Sequence, residues 1–227
     1  MRFPLVAGCV ALAWTMSPVA AQNACREDFQ MPPAGSWAEY QVKTTKGDQG
    51  TMRFVSLGKE GREGKDFHWV EMQMTNPKGQ YMAMKMLVPE WPADQAEVQE
   101  IIMQSEGQPQ PMRFSKEAIS NVRGAMTQNR MDLSELCKKA KLVGNEKVTV
   151  PAGSFDARKF EYSGDEGKTT AWLTKKSPFG WVRSVSDKGD EMVMLSSGTG
   201  GKSKIVGEAK EMPGMGGMGM PKPKVKL

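Results

Sequence analysis

Histidine is almost missing from this chain and cysteine is scarce: 227 residues contain one His and three Cys. With His68 as the sole imidazole, Ser154 and Ser177 have no histidine in their half of the chain, which excludes a locally built hydrolytic triad. Neither Cys25 nor Cys137 belongs to a Cys-x-x-Cys motif, which removes thiol-exchange catalysis. The Gly198–Lys202 run, GTGGK, lacks the spacing and the following helix of a phosphate loop. The charged pairs Asp165/Glu166 and Asp187/Asp190 read as solvated turns. The formal charge of +5 is mild and is concentrated partly in Lys222, Lys224 and Lys226, so no nucleic-acid surface is implied. No enzyme, no cofactor and no metal centre is expected from these residues.

Long apolar runs are also lacking, except at the start. Arg2 precedes a mainly apolar segment from Phe3 to Trp14, and Val19-Ala20-Ala21 offers small residues for signal-peptidase cleavage before Gln22. The segment is short and contains Pro4, so it reads as a cleaved signal peptide over 1–21 rather than an anchor, leaving no integral membrane span. Lipidation at Cys9 is disfavoured because only eight residues precede it and the apolar run continues beyond it. Export implies a periplasmic or extracellular protein. In that oxidising setting Cys25 and Cys137 are expected to pair, the alternatives being two isolated thiols or a bridge between molecules.

What is present is strand grammar. From Lys147 to Val185, short alternating runs are folded on Pro151-Ala152-Gly153, on Gly164 and Gly167, and on Pro178-Phe179-Gly180. Upstream, Trp37–Thr45, Thr51–Leu57, Phe67–Thr75 and Tyr81–Val88 repeat that pattern, with a charged loop expected over Gly58–Gly64. The turns are too short for crossover helices, so an antiparallel meander is expected and a doubly wound fold is not. Met112–Phe114 reads as a short strand, Glu191–Ser196 as a clear one, and Lys204–Val206 as an edge strand. Gln95–Gln104 and Asp132–Lys141 read as short helices that cover or plug the sheet. The organisation expected is a signal peptide at 1–21, a single β-rich domain at 22–206 and a flexible Gly/Met/Lys-rich tail at 207–227.

Methionine is abundant, at 19 residues, and it is placed with a period of two. Val70, Met72 and Met74 share one strand face with His68, and Met82, Met84 and Met86 share a face with Val88. Flexible, polarisable thioethers adapt to irregular apolar ligands, so these residues are candidate contacts for an acyl chain, a lipid or a lipoprotein. The competing reading is an ordinary core filled with methionine. Thioethers are also soft copper ligands, and Met192, Met194, Met212, Met215, Met218 and Met220 add sulfur, but copper handling would require several of them to converge. Further alternatives are a non-catalytic structural or assembly protein binding an envelope partner and, less favoured, an envelope hydrolase.

Two runs, VTVPAGSFDARKFEY and TAWLTKKSPFGWVR, resemble envelope proteins built on the bacterial lipoprotein-localisation fold, especially relatives with a Val-Pro-Ala-Gly-x-Phe hairpin. The resemblance is carried by Val150, Pro151, Ala152, Gly153 and Phe155, then by Trp172, Pro178, Phe179, Gly180, Trp181 and Val182. It implies a mainly β fold with short helices: a curved antiparallel sheet forming an incomplete barrel closed or plugged by helices. It also implies an apolar concavity that in transport relatives accommodates lipoprotein acyl chains, and neither an enzyme nor a bound metal.

Overall fold

A computed structural model describes residues 25–115, 118–119, 137–164 and 167–211. Six strands, β1 (Trp37–Lys43), β2 (Gln49–Arg62), β3 (Lys65–Thr75), β4 (Tyr81–Val88), β5 (Glu100–Ser105) and β6 (Met112–Ser115), run as one meander. A second meander comprises β7 (Lys141–Val150), β8 (Gly153–Gly164), β9 (Gly167–Leu173), β10 (Trp181–Ser186) and β11 (Glu191–Gly198). Antiparallel pairing of β1 with β11 joins them, and β12 (Lys210–Glu211) adds parallel to β6. Among the described residues the result is a single twelve-stranded curved sheet that does not close, ordered β12-β6-β5-β4-β3-β2-β1-β11-β10-β9-β8-β7.

Local chemistry explains most boundaries. Ala38 and Tyr40 are buried on one face of β1 while Trp37 and Glu39 are half-buried and Gln41 is exposed, as alternation requires. The β2–β3 hairpin reverses at Glu63 and Gly64, whose φ values of 51° and 75° are those of a two-residue mirror-image turn. The expected loop at Gly58–Gly64 is therefore mostly strand: after a bulge at Ser56/Gly58 the ladder continues to Arg62 opposite Lys65.

The expected helix over Gln95–Gln104 is corrected to a 3-10 turn at Gln95–Glu97 followed by β5. Asp94 caps the turn by accepting from the Ala96 N–H at 3.0 Å. Ile101 and Ile102 are both buried, at 3% and 4% exposure, but on opposite faces of the sheet. A strand covered on both faces loses the alternation that would identify it. Of the expected helix at Asp132–Lys141, residues 137–139 are helical, Ala140 is not, β7 starts at Lys141, and residues 132–136 lie outside the described residues. The signal segment, Asp165/Glu166 and the tail beyond Glu211 also lie outside them.

The sheet is covered on both sides. On one face a continuous core joins Tyr40, Met52, Phe54, Val70, Phe160 and Trp181 to Phe29 and to Cys25, Ala118, Ile119 and Cys137 of the short helical segments. Cys25 and Cys137 form a disulfide. On the opposite face Val55, Ala83, Leu87 and Ile102 form a smaller buried patch. There the segment following β11 crosses the sheet before reaching β6. No edge strand forms at Lys204–Val206, because its backbone donors go to side chains: Lys204 to Glu71 at 2.7 Å, Ile205 to Ser203 at 3.1 Å and Val206 to Gln104 at 2.9 Å.

Candidate functional site: a methionine-lined sheet face

Register brings all six sequence-selected side chains to one face of adjacent strands. Met72 lies directly opposite Met84, Met74 opposite Met82, and Val70 opposite Met86. Two rows extend across neighbouring strands. One runs Met194, Tyr40, Met52, Met74, Met82, and the other Phe54, Met72, Met84, Met103, Met112. Directly opposed residues on one sheet face are in side-chain contact range, at Cβ separations of about 4.5–5.5 Å. With Tyr40 and Phe54, the thioethers therefore form a continuous lining across seven strands.

Burial divides the six. Val70 is fully enclosed, and Met72, Met74 and Met82 are 8%, 9% and 7% exposed. Met84 and Met86 are half-buried and pack against the same core, as do Met103, Met112 and Met192. The first four thus act as structural lining, while Met84 and Met86 retain accessible surface. His68, level with Val88 and Lys59, is also half-exposed. Burial first, with Lys59 beside it, holds its imidazole below the usual range.

Aromatic residues unrecognised as site components close one side of this lining. Phe54, Trp91 and Phe179 contact one another at centroid distances of 5.4–5.7 Å, and Tyr40 meets Phe54 at 6.1 Å. Trp181 packs on Phe29 at 5.8 Å. Phe179 and Trp181 are positioned by the Pro178-Phe179-Gly180 turn, where Phe179 and Gly180 both have positive φ. Tyr40 Oη donates to the Trp181 carbonyl at 3.2 Å, and complete burial pushes this phenol well above its ordinary range. Phe179 and Trp181 lie in the run that carries the family resemblance, but the convergence of β2, β10 and the 91 region on one spot has no local sequence signal.

Polar chemistry lies elsewhere. A surface cleft of about 340 Å³ is lined by Arg26, Glu90, Asp94, Ala96, Glu97 and Lys138, sharing no residue with the methionine rows. It is bridged by the Arg26–Glu90 and Lys138–Asp94 ion pairs at 2.8 and 3.1 Å. Among the described residues, no three His, Cys, Asp or Glu side chains gather as a metal site. Among the same residues, no helix is long and apolar enough to cross a membrane.

No protein-family model and no curated protein sequence matches the chain. Several crystal structures are similar to it. A Bacteroides fragilis protein described as exported and of YmcC-like fold is 13% identical, with 75% of this chain and 99% of that chain covered at a TM-score of 0.40. A protein from Parabacteroides distasonis described as a lipoprotein is 13% identical, covers 75% and 98%, and has a TM-score of 0.39. A DUF1329 family protein from Desulfovibrio piger is 12% identical, covers 76% and 73%, and has a TM-score of 0.32.

Proposed function

We propose that this chain is an exported, non-catalytic envelope module that binds an acyl chain, as a lipid or a lipoprotein, along its methionine-lined face. The carrying observation is the direct cross-strand register of Met72 with Met84 and Met74 with Met82, continued to Met52, Met103 and Met112. Unbranched thioether side chains repack around a flexible chain at lower strain than branched ones. Each methylene transferred to such a face contributes about 0.8 kcal/mol, so even part of an acyl chain supplies useful affinity. Export is supported by the Phe3–Trp14 segment with its Val19-Ala20-Ala21 cleavage pattern and by the Cys25–Cys137 bridge.

Native mass spectrometry and lipid extraction of protein purified from its own envelope should find a stoichiometric amphiphile. Met84→Gln and Met86→Gln, which alter the half-buried members, should weaken lipid retention with the fold intact. Empty protein with no lipid exchange would sink the proposal. A second reading, a partner-binding assembly protein, is favoured by β7, which ends the strand order and leaves Val143 50% exposed. Crosslinking in intact cells would then yield one dominant protein adduct without lipid.

A further inference from the structure

The sequence contains six tryptophans, of which Trp14 lies outside the described residues. Four of the others satisfy their indole N–H. Trp37 donates to the Thr199 carbonyl at 3.0 Å, Trp69 to Glu60 Oε2 at 2.7 Å, Trp91 to the Phe179 carbonyl at 3.2 Å, and Trp172 to Glu146 Oε2 at 3.2 Å. Trp181 does not. It is 7% exposed, and its Nε1 is enclosed without an acceptor. Buried donors lacking any partner are rare because desolvation is then uncompensated, so each calls for a physical reason.

Its location supplies one. Tyr40 Oη and Ser177 Oγ both donate to the Trp181 carbonyl, at 3.2 and 2.7 Å, and Ser177 Oγ lies 3.7 Å from Met194 Sδ. The Trp181 backbone therefore stands at the Met194–Tyr40 end of the first methionine row, and its indole packs on Phe29 in the same core. The core that this row borders thus holds an unused indole donor, which is the pattern expected for an amphiphile with a single acceptor beside its hydrocarbon.

We propose that Trp181 Nε1 anchors the carbonyl oxygen of an ester- or amide-linked acyl chain. This rests on the acyl-binding reading above and narrows its ligand class. A free fatty-acid carboxylate would bring a full charge to a single neutral donor. Arg158, whose guanidinium faces Phe160 in the same core, is already held by Asp28 at 2.6 Å and Glu27 at 3.7 Å. A buried charge without a cation is strongly disfavoured, whereas one N–H suits a neutral carbonyl.

The test uses the mature full chain, stripped of lipid, with dioctanoylglycerol, its dioctyl ether analogue and dodecanoate at neutral pH. The ester should bind about 10-fold more tightly than the ether, reflecting one buried hydrogen bond, and more tightly than the carboxylate. Trp181→Phe should equalise ester and ether. In wild-type protein carrying ¹⁵N-labelled indoles, one indole N–H resonance should move downfield with the ester alone, a readout that needs no variant to fold. Equal ester and ether binding by the wild type, or carboxylate binding as tight as the ester, overturns the anchor and leaves the acyl site standing. Failure of all three probes to bind overturns both.

Discussion

The backbone N–H of Ala152 donates to the carbonyl oxygen of Met194 at 3.3 Å. β10 pairs with β11 only as far as Val193, so the tip of the β7–β8 hairpin takes over where β10 stops. Ala152 belongs to the turn most prominent in the sequence, and Met194 begins the first methionine row. The hairpin thus fastens the strand that carries the lining, a structural role rather than a ligand contact.

Two glycines in these turns should respond differently to alanine. Gly153 has φ of 129° with open space around it, so Gly153→Ala should cost about 1 kcal/mol through backbone strain. At Gly180, φ is 82° and an added Cβ would lie 2.5 Å from the Asp28 carbonyl oxygen. Gly180→Ala should cost about 2–4 kcal/mol by adding overpacking to strain. Urea denaturation checks the difference, and equal losses would contradict close packing of the 25–28 helical turn on this loop.

Glu71, fully buried, accepts from Gln73 Nε2, Ser203 Oγ and the Lys204 N–H. Glu71→Gln places an amide donor among these donors and should destabilise by about 1–3 kcal/mol. Because two of the three bonds hold the crossing segment, trypsin should then cut faster after Lys202 and Lys204. Ser203→Ala, which removes one donor, should show a smaller increase. Unchanged proteolysis in Glu71→Gln would refute the pinning role.

Cys25 and Cys137 close a loop spanning 112 positions. Constraint of the unfolded chain over a loop of that size implies that reduction lowers stability by about 2–5 kcal/mol. Thermal melts with and without reductant, compared with the double Cys→Ser variant, measure this. A reductant effect that persists in the variant would show that another process is being read.

His68 and Glu60 set two pH windows. The imidazole is held below its ordinary value, so the unfolded chain binds that proton first. Stability should fall as pH drops through about 6.5 and level off below the folded value. His68→Gln should flatten this region of a plot of melting temperature against pH. The Glu60 carboxyl is held low by hydrogen bonds from Arg62 and Trp69, so its contribution is present above the usual carboxylate range and is lost at more acid pH, as the folded value is crossed. A wild-type profile that is flat near pH 6.5 would contradict the first assignment.

Tyr81–Val88 was legible because alternating residues lie between unambiguous turns, and its thioether face followed from period two. β5 was not, because contiguous Ile101 and Ile102 serve opposite faces. Glu71, Gln73 and Gln104 look like a solvent-facing set in sequence. They are buried because a segment more than a hundred residues away crosses above them, information absent from any local window. β12 is polar and takes its strand geometry from pairing with β6. The orphan N–H of Trp181 was equally hidden, since tryptophan type says nothing about where its donor ends.

The β1–β11 seam also dictates an order of assembly. Trp37 Nε1 donates to Thr199 across 162 positions, so the centre of the sheet is completed by the most sequence-distant pairing in it. Chain emerging from its N-terminus presents β1 long before β11 exists, with unsatisfied backbone groups along an open edge. Until β11 docks, the first meander keeps the β1 edge open to pairing with other chains, so the seam is also the protection of that edge.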